Sequence, residues 1–198
     1  EPAAPEPEPV AQAEPAANPF FVESELMFHY PAFDQIENDH YLPAFERGME
    51  EQLAEIEAIT AQQEAPTFDN TMVALERSGR TLDRVSRVFF AMTSAHTNDE
   101  LEAIRSEMAP KLSAHTDSIL LNGDLFGRVQ AIHEQRDALE LDPESRRLVE
   151  EYFKDFVRAG ARLSDDDKET LKAINSEIAS LQTKFSQNVL AEVNDSAI

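Results

Sequence analysis

The segment from residue 66 to residue 93 constrains the fold more than any other part of the sequence, because its apolar residues recur every three or four positions. At about 100° per residue, this spacing places them on one side of an α-helix. The apolar face consists of Phe68, Met72, Leu75, Gly79, Leu82, Val85, Phe89 and Met92, and the opposite face carries Arg77, Arg80, Arg84 and Arg87. Since such a face must be buried, we expect other helices to cover it.

Gly79 is the unusual member of this apolar face. A glycine inside a helix costs roughly 1 kcal/mol of stability relative to alanine. Two explanations are open: another backbone approaches closely at this point, or the segment divides here into two shorter helices.

The sequence after residue 37 predicts further helices and no strands, so we expect an all-α multi-helix bundle. Start signals are Asp39, Thr67 or Asp69, the capping-box pattern from Thr97 to Glu100, Asp142 before Pro143, and Ser164. Pro110 is expected to kink or end its helix. Near the C-terminus the spacing alternates between three and four residues, which is typical of the seam of a long coiled-coil hairpin. That seam consists of Leu171, Ile174, Ile178, Leu181 and Phe185.

Three regions differ in composition. Residues 1–19 contain six of the 11 prolines together with Ala and Glu, and we expect a disordered linker. Residues 20–37 are rich in aromatic side chains without helical or strand spacing, and we expect an extended arm that lies on another surface. Residues 38–198 form the helical domain. A linker of this kind often follows an export signal or a lipid anchor, and an ordinary disordered terminus is the alternative.

Composition excludes several classes of function. The 39 acidic residues exceed the 17 basic ones and give a net charge of −22, which argues against nucleic acid or an anionic membrane as a partner. The absence of cysteine excludes disulfides and thiolate metal sites. No apolar run is long enough for a transmembrane segment.

No catalytic or metal-binding residue is predicted from the chemistry of the chain alone. A zinc peptidase needs two histidines one helical turn apart, with a glutamate beside the first. His133 and Glu134 come nearest to this pattern, but Asp137 stands where the second histidine is required. We therefore interpret the pair as part of an exposed helix face. No activated nucleophile or phosphate-binding loop is present.

The four arginines of the 66–93 segment, Arg77, Arg80, Arg84 and Arg87, have two interpretations. The preferred one is a solvated face, in which Glu76 pairs with Arg80 and Asp83 pairs with Arg87 at helical spacing. The alternative is a docking face for an acidic helix or for the carboxylate end of a peptide.

Several short motifs, taken in order, resemble one family. They are Asn18–Phe21, Pro31–Ile36, His40–Glu46, Thr67–Thr71, Ala74–Gly79, Arg158–Ala161 and Phe185–Asn188, with Arg87–Phe90 and Ala95–Asn98 between them. Together they resemble the N-terminal part of the thimet oligopeptidase family of zinc metallopeptidases, and in particular its bacterial peptidyl-dipeptidase branch. The resemblance covers about residues 18–195.

The resemblance implies a helical protein of two lobes with a deep channel between them. In this family a His-Glu-x-x-His helix and a downstream glutamate hold zinc, and peptidyl-dipeptidases remove dipeptides from the C-terminal end of short peptides. That motif is absent from this sequence, so no catalytic or metal residue is carried over. The chain is expected to stop before the catalytic domain and to form one wall of the channel.

Two hypotheses follow. In the first, the chain is the N-terminal helical domain of an exported, periplasmic or cell-envelope enzyme. It binds no zinc by itself, and its partners are the parent's own catalytic domain and short peptides. A cytoplasmic location is the alternative. In the second, the chain is a stand-alone interaction domain without enzymatic activity, which holds a partner through its aromatic arm and its arginines.

Overall fold

The structure, a computed structural model, describes residues 18–196, and within this range it contains helices and no strands. The predicted all-α bundle is therefore confirmed. Most of the predicted linker lies outside the described residues. The α-helices are α1 (Tyr41–Thr60), α2 (Ala74–Arg77), α3 (Arg80–Ala95), α4 (Asp99–Leu120), α5 (Gly123–Gln135), α6 (Pro143–Ala159) and α7 (Asp165–Ser196). Short 3-10 turns cover Pro19–Phe21, Met27–His29 and Asn38–His40, and a π-helical turn covers Phe68–Val73.

Helix α1 connects two separate hydrophobic cores. Its first half lies in the arm-side core, which comprises Phe20, Tyr41, Ala44, Phe45, Leu82, Val85, Val88, Phe89, Leu101 and Met108. Its last turns contribute Ile56 and Ile59 to the distal core, with Met72, Leu75, Leu125, Phe126, Val129, Ile132, Val149, Phe156 and Ala161. The apolar face of residues 66–93 is thus buried as predicted, but it is shared between the two cores.

Gly79 marks the point where the chain passes from one core to the other. Its φ of +72° is left-handed, and it separates α2 from α3. A Cβ atom at this position would lie 2.4 Å from the Gln52 amide nitrogen. The second explanation offered by the sequence, a break between two shorter helices, is the one that the structure supports. Glycine suits this position because it adopts positive φ without steric cost.

The helix starts follow side-chain caps in most cases. Thr67 and Asn70 form a reciprocal capping box, while Asn122 and Asp142 cap α5 and α6. The start of α4 is capped by Asn98 rather than by Thr97. The prediction of Asp39 as the cap of α1 is wrong, because a 3-10 turn precedes that helix and Glu37 and His40 bond to each other's backbone instead.

Helix α7 runs antiparallel to α4, which continues through Pro110 without ending. The Asn175 amide donates to Asp117 Oδ1 at 2.8 Å near one end of the pair, and the Gln187 amide donates to Ser106 Oγ at 2.8 Å near the other. The long C-terminal helix predicted from the sequence is present. It packs on α4 through these polar residues and through Thr183, whereas four members of the predicted seam, Ile174, Ile178, Leu181 and Phe185, are exposed.

Candidate functional site

The aromatic arm is fixed to the bundle at its beginning. The Asn18 amide donates to the His40 carbonyl at 2.7 Å, and Arg84 donates to the Phe20 carbonyl at 2.7 Å. The Phe20 side chain is only 2% exposed, and its ring lies 5.3 Å from the ring of Tyr41. Ile36 packs against the same core near the end of the arm. Residues between these two anchors form a loop whose ends are held by the helical domain.

The middle of the arm exposes its apolar side chains to solvent. Phe28 is 89% exposed and Met27 is 77% exposed, and large exposed fractions are also found for Val22, Leu26, Tyr30 and Phe33. Phe28 and His29 both have left-handed φ values, of 58° and 54°. A left-handed conformation costs a non-glycine residue about 1–2 kcal/mol. This loop is held by local hydrogen bonds, including one between His29 Nδ1 and the Ser24 carbonyl at 2.9 Å.

The four arginines do not share one continuous helical face, because the break at Gly79 lies between Arg77 and Arg80. Arg77 and Arg80 are both exposed. Arg84 is half-buried and holds the arm through the Phe20 carbonyl. Arg87 pairs with Asp83 at 2.7 Å, which confirms one of the two predicted ion pairs. A docking role for the arginines stays a prediction.

The other predicted pair, between Glu76 and Arg80, is wrong. Glu76 instead accepts a hydrogen bond of 2.5 Å from the Tyr152 hydroxyl on α6. The reason is the turn at Gly79, because the two residues belong to different helices and the i,i+4 relation no longer holds. Burial, together with this carboxylate, raises the pKa of Tyr152 well above its ordinary value.

The residues near His133 do not fit a zinc ion. The imidazole stacks on the Phe153 ring at a centroid distance of 3.8 Å, and Asp137 pairs with Arg146. Burial first, and then the Arg136 guanidinium, lower the pKa of His133. Among residues 18–196, no group of three or more acidic or histidine side chains is arranged to hold a metal.

Arg128 is a structural residue that the sequence analysis did not identify. Its guanidinium is buried and donates to Asn70 Oδ1 at 2.9 Å, to Thr71 Oγ1 at 3.2 Å, and to the carbonyls of Gln62 and Glu64 at 3.3 Å. It thereby fixes the loop before the π-helical turn onto α5. The available signal was a basic residue directly beside the apolar face of α5, where a solvated side chain is not expected.

Comparison with known proteins finds similarity to peptidases, although no family model matches the chain. It is 50% identical to dipeptidyl carboxypeptidase of Escherichia coli K12 over 174 residues, which are 88% of this chain and 26% of that protein. It is 47% identical over 176 residues to the Salmonella typhimurium protein of the same name, with 89% of this chain and 26% of that protein covered. These matches support a partial, N-terminal region of the thimet oligopeptidase family.

The two bacterial dipeptidyl carboxypeptidases are more similar to this chain than a plant relative is. Probable cytosolic oligopeptidase A of Arabidopsis thaliana is 28% identical over 166 residues, which are 82% of this chain and 23% of that protein. The predicted bacterial peptidyl-dipeptidase branch is thus confirmed, and the chain represents a peptidase-related N-terminal region. It spans about a quarter of the length of the curated relatives it matches. Within residues 18–196, no helix has the length and hydropathy needed to cross a bilayer.

Proposed function

We propose that this chain is the N-terminal helical region of a zinc-dependent peptidyl-dipeptidase, which releases dipeptides from the C-terminal end of short peptides. The observation that carries this proposal is the 50% identity to a dipeptidyl carboxypeptidase over 88% of the chain. Identity at this level over a whole helical region favours a common architecture and a common role in the parent enzyme.

In this proposal the helical region forms one wall of the substrate channel and is not catalytic alone. Zinc and the peptide-cleaving groups belong to the rest of the enzyme. The apolar side chains of the arm support such a role, because a loop that exposes Phe28 and Met27 is typical of a surface that contacts another part of a protein.

A chimera tests the proposal directly. Residues 20–195 replace the aligned region of the E. coli dipeptidyl carboxypeptidase, and release of dipeptides from a blocked tetrapeptide is measured. We expect the chimera to be active and a zinc chelator to abolish its activity. The purified 198-residue chain, assayed with added zinc at the same concentration, is expected to release nothing.

Two results would contradict the proposal. A soluble, zinc-loaded chimera without activity would show that this region cannot serve in a peptidyl-dipeptidase. Cleavage by the isolated chain would show that it contains a catalytic site of its own. The unmodified E. coli enzyme is the positive control in both assays.

The exposed arm favours a second candidate function, a stand-alone interaction domain that holds a partner through the arm and the arginines. An inactive chimera, together with a native protein that ends after this region, would favour it. The native mass is measured on protein purified from its own source. Changing Arg80 and Arg84 to glutamate would then weaken the partner complex, and an unaffected complex would count against this candidate.

We further propose that the parent enzyme is exported to the periplasm or cell envelope. The proline-rich composition of residues 1–19 supports this, since such spacers often follow a cleaved signal or an anchor. Cell fractionation tests the location, and recovery of the native protein in the cytoplasm would contradict it.

A further inference from the structure

Helix α7 exposes a continuous apolar stripe along its outer side. Its members lie three or four residues apart, so they share one face of the helix. They are Ile174, Ile178, Leu181, Phe185, Val189 and Val193, and each is between 45% and 69% exposed. Together they present on the order of 500 Å² of apolar surface, near the upper end for the largest patch on a monomeric protein.

The stripe is exposed because α7 packs on α4 through its other side. Thr183 is buried in that contact, and Asn175 and Gln187 bond to side chains of α4. A soluble helix with a single buried side normally buries its apolar side and exposes its polar side. Here the polar side packs on α4 and the apolar side is exposed. Helix α7 therefore has a second face that is suited to a contact.

A groove lies beside the middle of the stripe. Leu181 and Phe185 of α7 line one side of it, and Phe90, Met108 and Leu112 of α3 and α4 line the other. Its polar lining residues include Arg105, Gln182 and Ser186. Its volume is about 680 Å³, and Phe90 is itself partly exposed. Stripe and groove therefore form one largely apolar surface about 30 Å long, given the helical rise of 1.5 Å per residue. This shape fits an amphipathic helix laid along α7.

Charge decides against a second copy of the chain as the occupant. Each chain carries a net charge of −22, and such a charge opposes self-association. Among the described residues, the exposed positions beside the stripe include Glu177, Glu192 and Asp195 together with Lys184, while Arg105, which lines the groove, pairs with Glu102. The occupant should therefore carry neutral or basic residues on either side of its apolar face.

We propose that this surface receives an amphipathic helix from the part of the peptidase outside the matched region. The inference rests on the proposed function. The occupant is inferred from the length of the relatives, because the match covers only 26% of the dipeptidyl carboxypeptidases. The α7 surface is then the principal contact that attaches the N-terminal helical region to the rest of the enzyme.

Cysteine labelling tests this inference without relying on activity. The chain has no cysteine, so single substitutions Leu181→Cys and Phe185→Cys report on the stripe. Ser180→Cys is the matched control, since Ser180 is exposed on a different side of the same helix. Each variant is labelled with a maleimide, both as the isolated chain and within the chimera, in a background without other reactive cysteines. Circular dichroism verifies that the variants are folded.

We expect the labelling rates at the two stripe positions to fall by about tenfold or more in the chimera, because a thiol must be accessible to react. The rate at Ser180→Cys should stay the same. Equal stripe rates in the chimera and the isolated chain would overturn the inference, as would protection in the isolated chain that increases with concentration, since that assigns the surface to a second copy.

The outcome is separable from the test of the proposed function. If the stripe is protected in an inactive chimera, the result would support the α7 contact and contradict only the proposed function in a peptidyl-dipeptidase. If the chimera does not accumulate as soluble protein, the three aligned positions are labelled in the E. coli enzyme itself. Full labelling of its stripe positions would overturn the inference.

Discussion

Helices α1 and α3 approach each other closely at Gly48. Gly48 is buried, and a Cβ atom built on it would lie 2.8 Å from both the Cα and the backbone nitrogen of Leu82. These neighbours are backbone atoms, which cannot turn away as the end of a flexible side chain can. Gly48→Ala therefore forces the two helices apart.

The size of the effect follows from two opposing contributions. Relief of the clash requires a separation of roughly 0.5–1 Å, which forfeits a quarter to a half of the dispersion energy of each affected contact. Overpacking of this kind costs about 1–3 kcal/mol, and the backbone clash places this case near the upper end. The higher helix propensity of alanine offsets about 1 kcal/mol of this loss of stability. We expect a net loss of about 2 kcal/mol, or a decrease in Tm of about 4–8 °C.

Gly127→Ala is the matched control. Gly127 also lies inside a helix, but it is exposed and no atom lies within 4 Å of a Cβ built on it. Only the propensity contribution remains, so this variant should gain about 0.5–1 kcal/mol. Urea unfolding followed by far-UV circular dichroism measures both variants. A Gly48→Ala variant as stable as Gly127→Ala would refute the reasoning.

Three further predictions concern buried or anchoring groups. Arg128→Met should lose about 3 kcal/mol of unfolding free energy, because several buried acceptors lose their charged donor; a loss in urea unfolding no larger than that of exposed Arg147→Met would contradict this. Burial lowers the pKa of His115, so the unfolded chain binds the proton more readily. The stability that a neutral His115 contributes should be fully present above about pH 6.5 and be lost as the pH falls from there through the lower pKa of the folded state. His115→Gln should reduce this slope in urea titrations between about pH 7.5 and pH 5, and an unchanged slope would exclude His115 as its source. Arg84→Ala should accelerate hydrogen exchange in residues 20–36 while exposed Arg80→Ala does not; equal exchange in both variants would show that Arg84 does not hold the arm.

Much of the fold is predictable from local patterns. The 3.6-residue period of the 66–93 segment identifies the residues that are buried, and the caps at Thr67 and Asp142 identify two of the helix starts. Both signals depend on backbone geometry within one or two turns. The failed Glu76–Arg80 pair shows the limit of such reasoning, because one left-handed residue between them changes which side chains face each other.

The candidate surfaces were harder to predict from the sequence. The aromatic composition of residues 20–37 predicts an arm, but its anchoring by Arg84 joins groups 64 positions apart. Arg128 likewise meets acceptors 57 or more positions away. Contacts at such separations depend on how the helices are arranged, which helical periodicity does not encode.

By itself, the sequence determined that this protein is all-α, which residues form its helix faces, and to which peptidase family it is similar. Only the tertiary structure decided that Gly79 divides one apolar face between two cores and that α7 packs through its polar side. The physical reason is that periodicity fixes which side chains share a face, whereas the neighbour of each face is selected by long-range packing. The spacing of Ile174 to Phe185 is the same whether or not that face is covered, so the structure was needed to show that it is exposed.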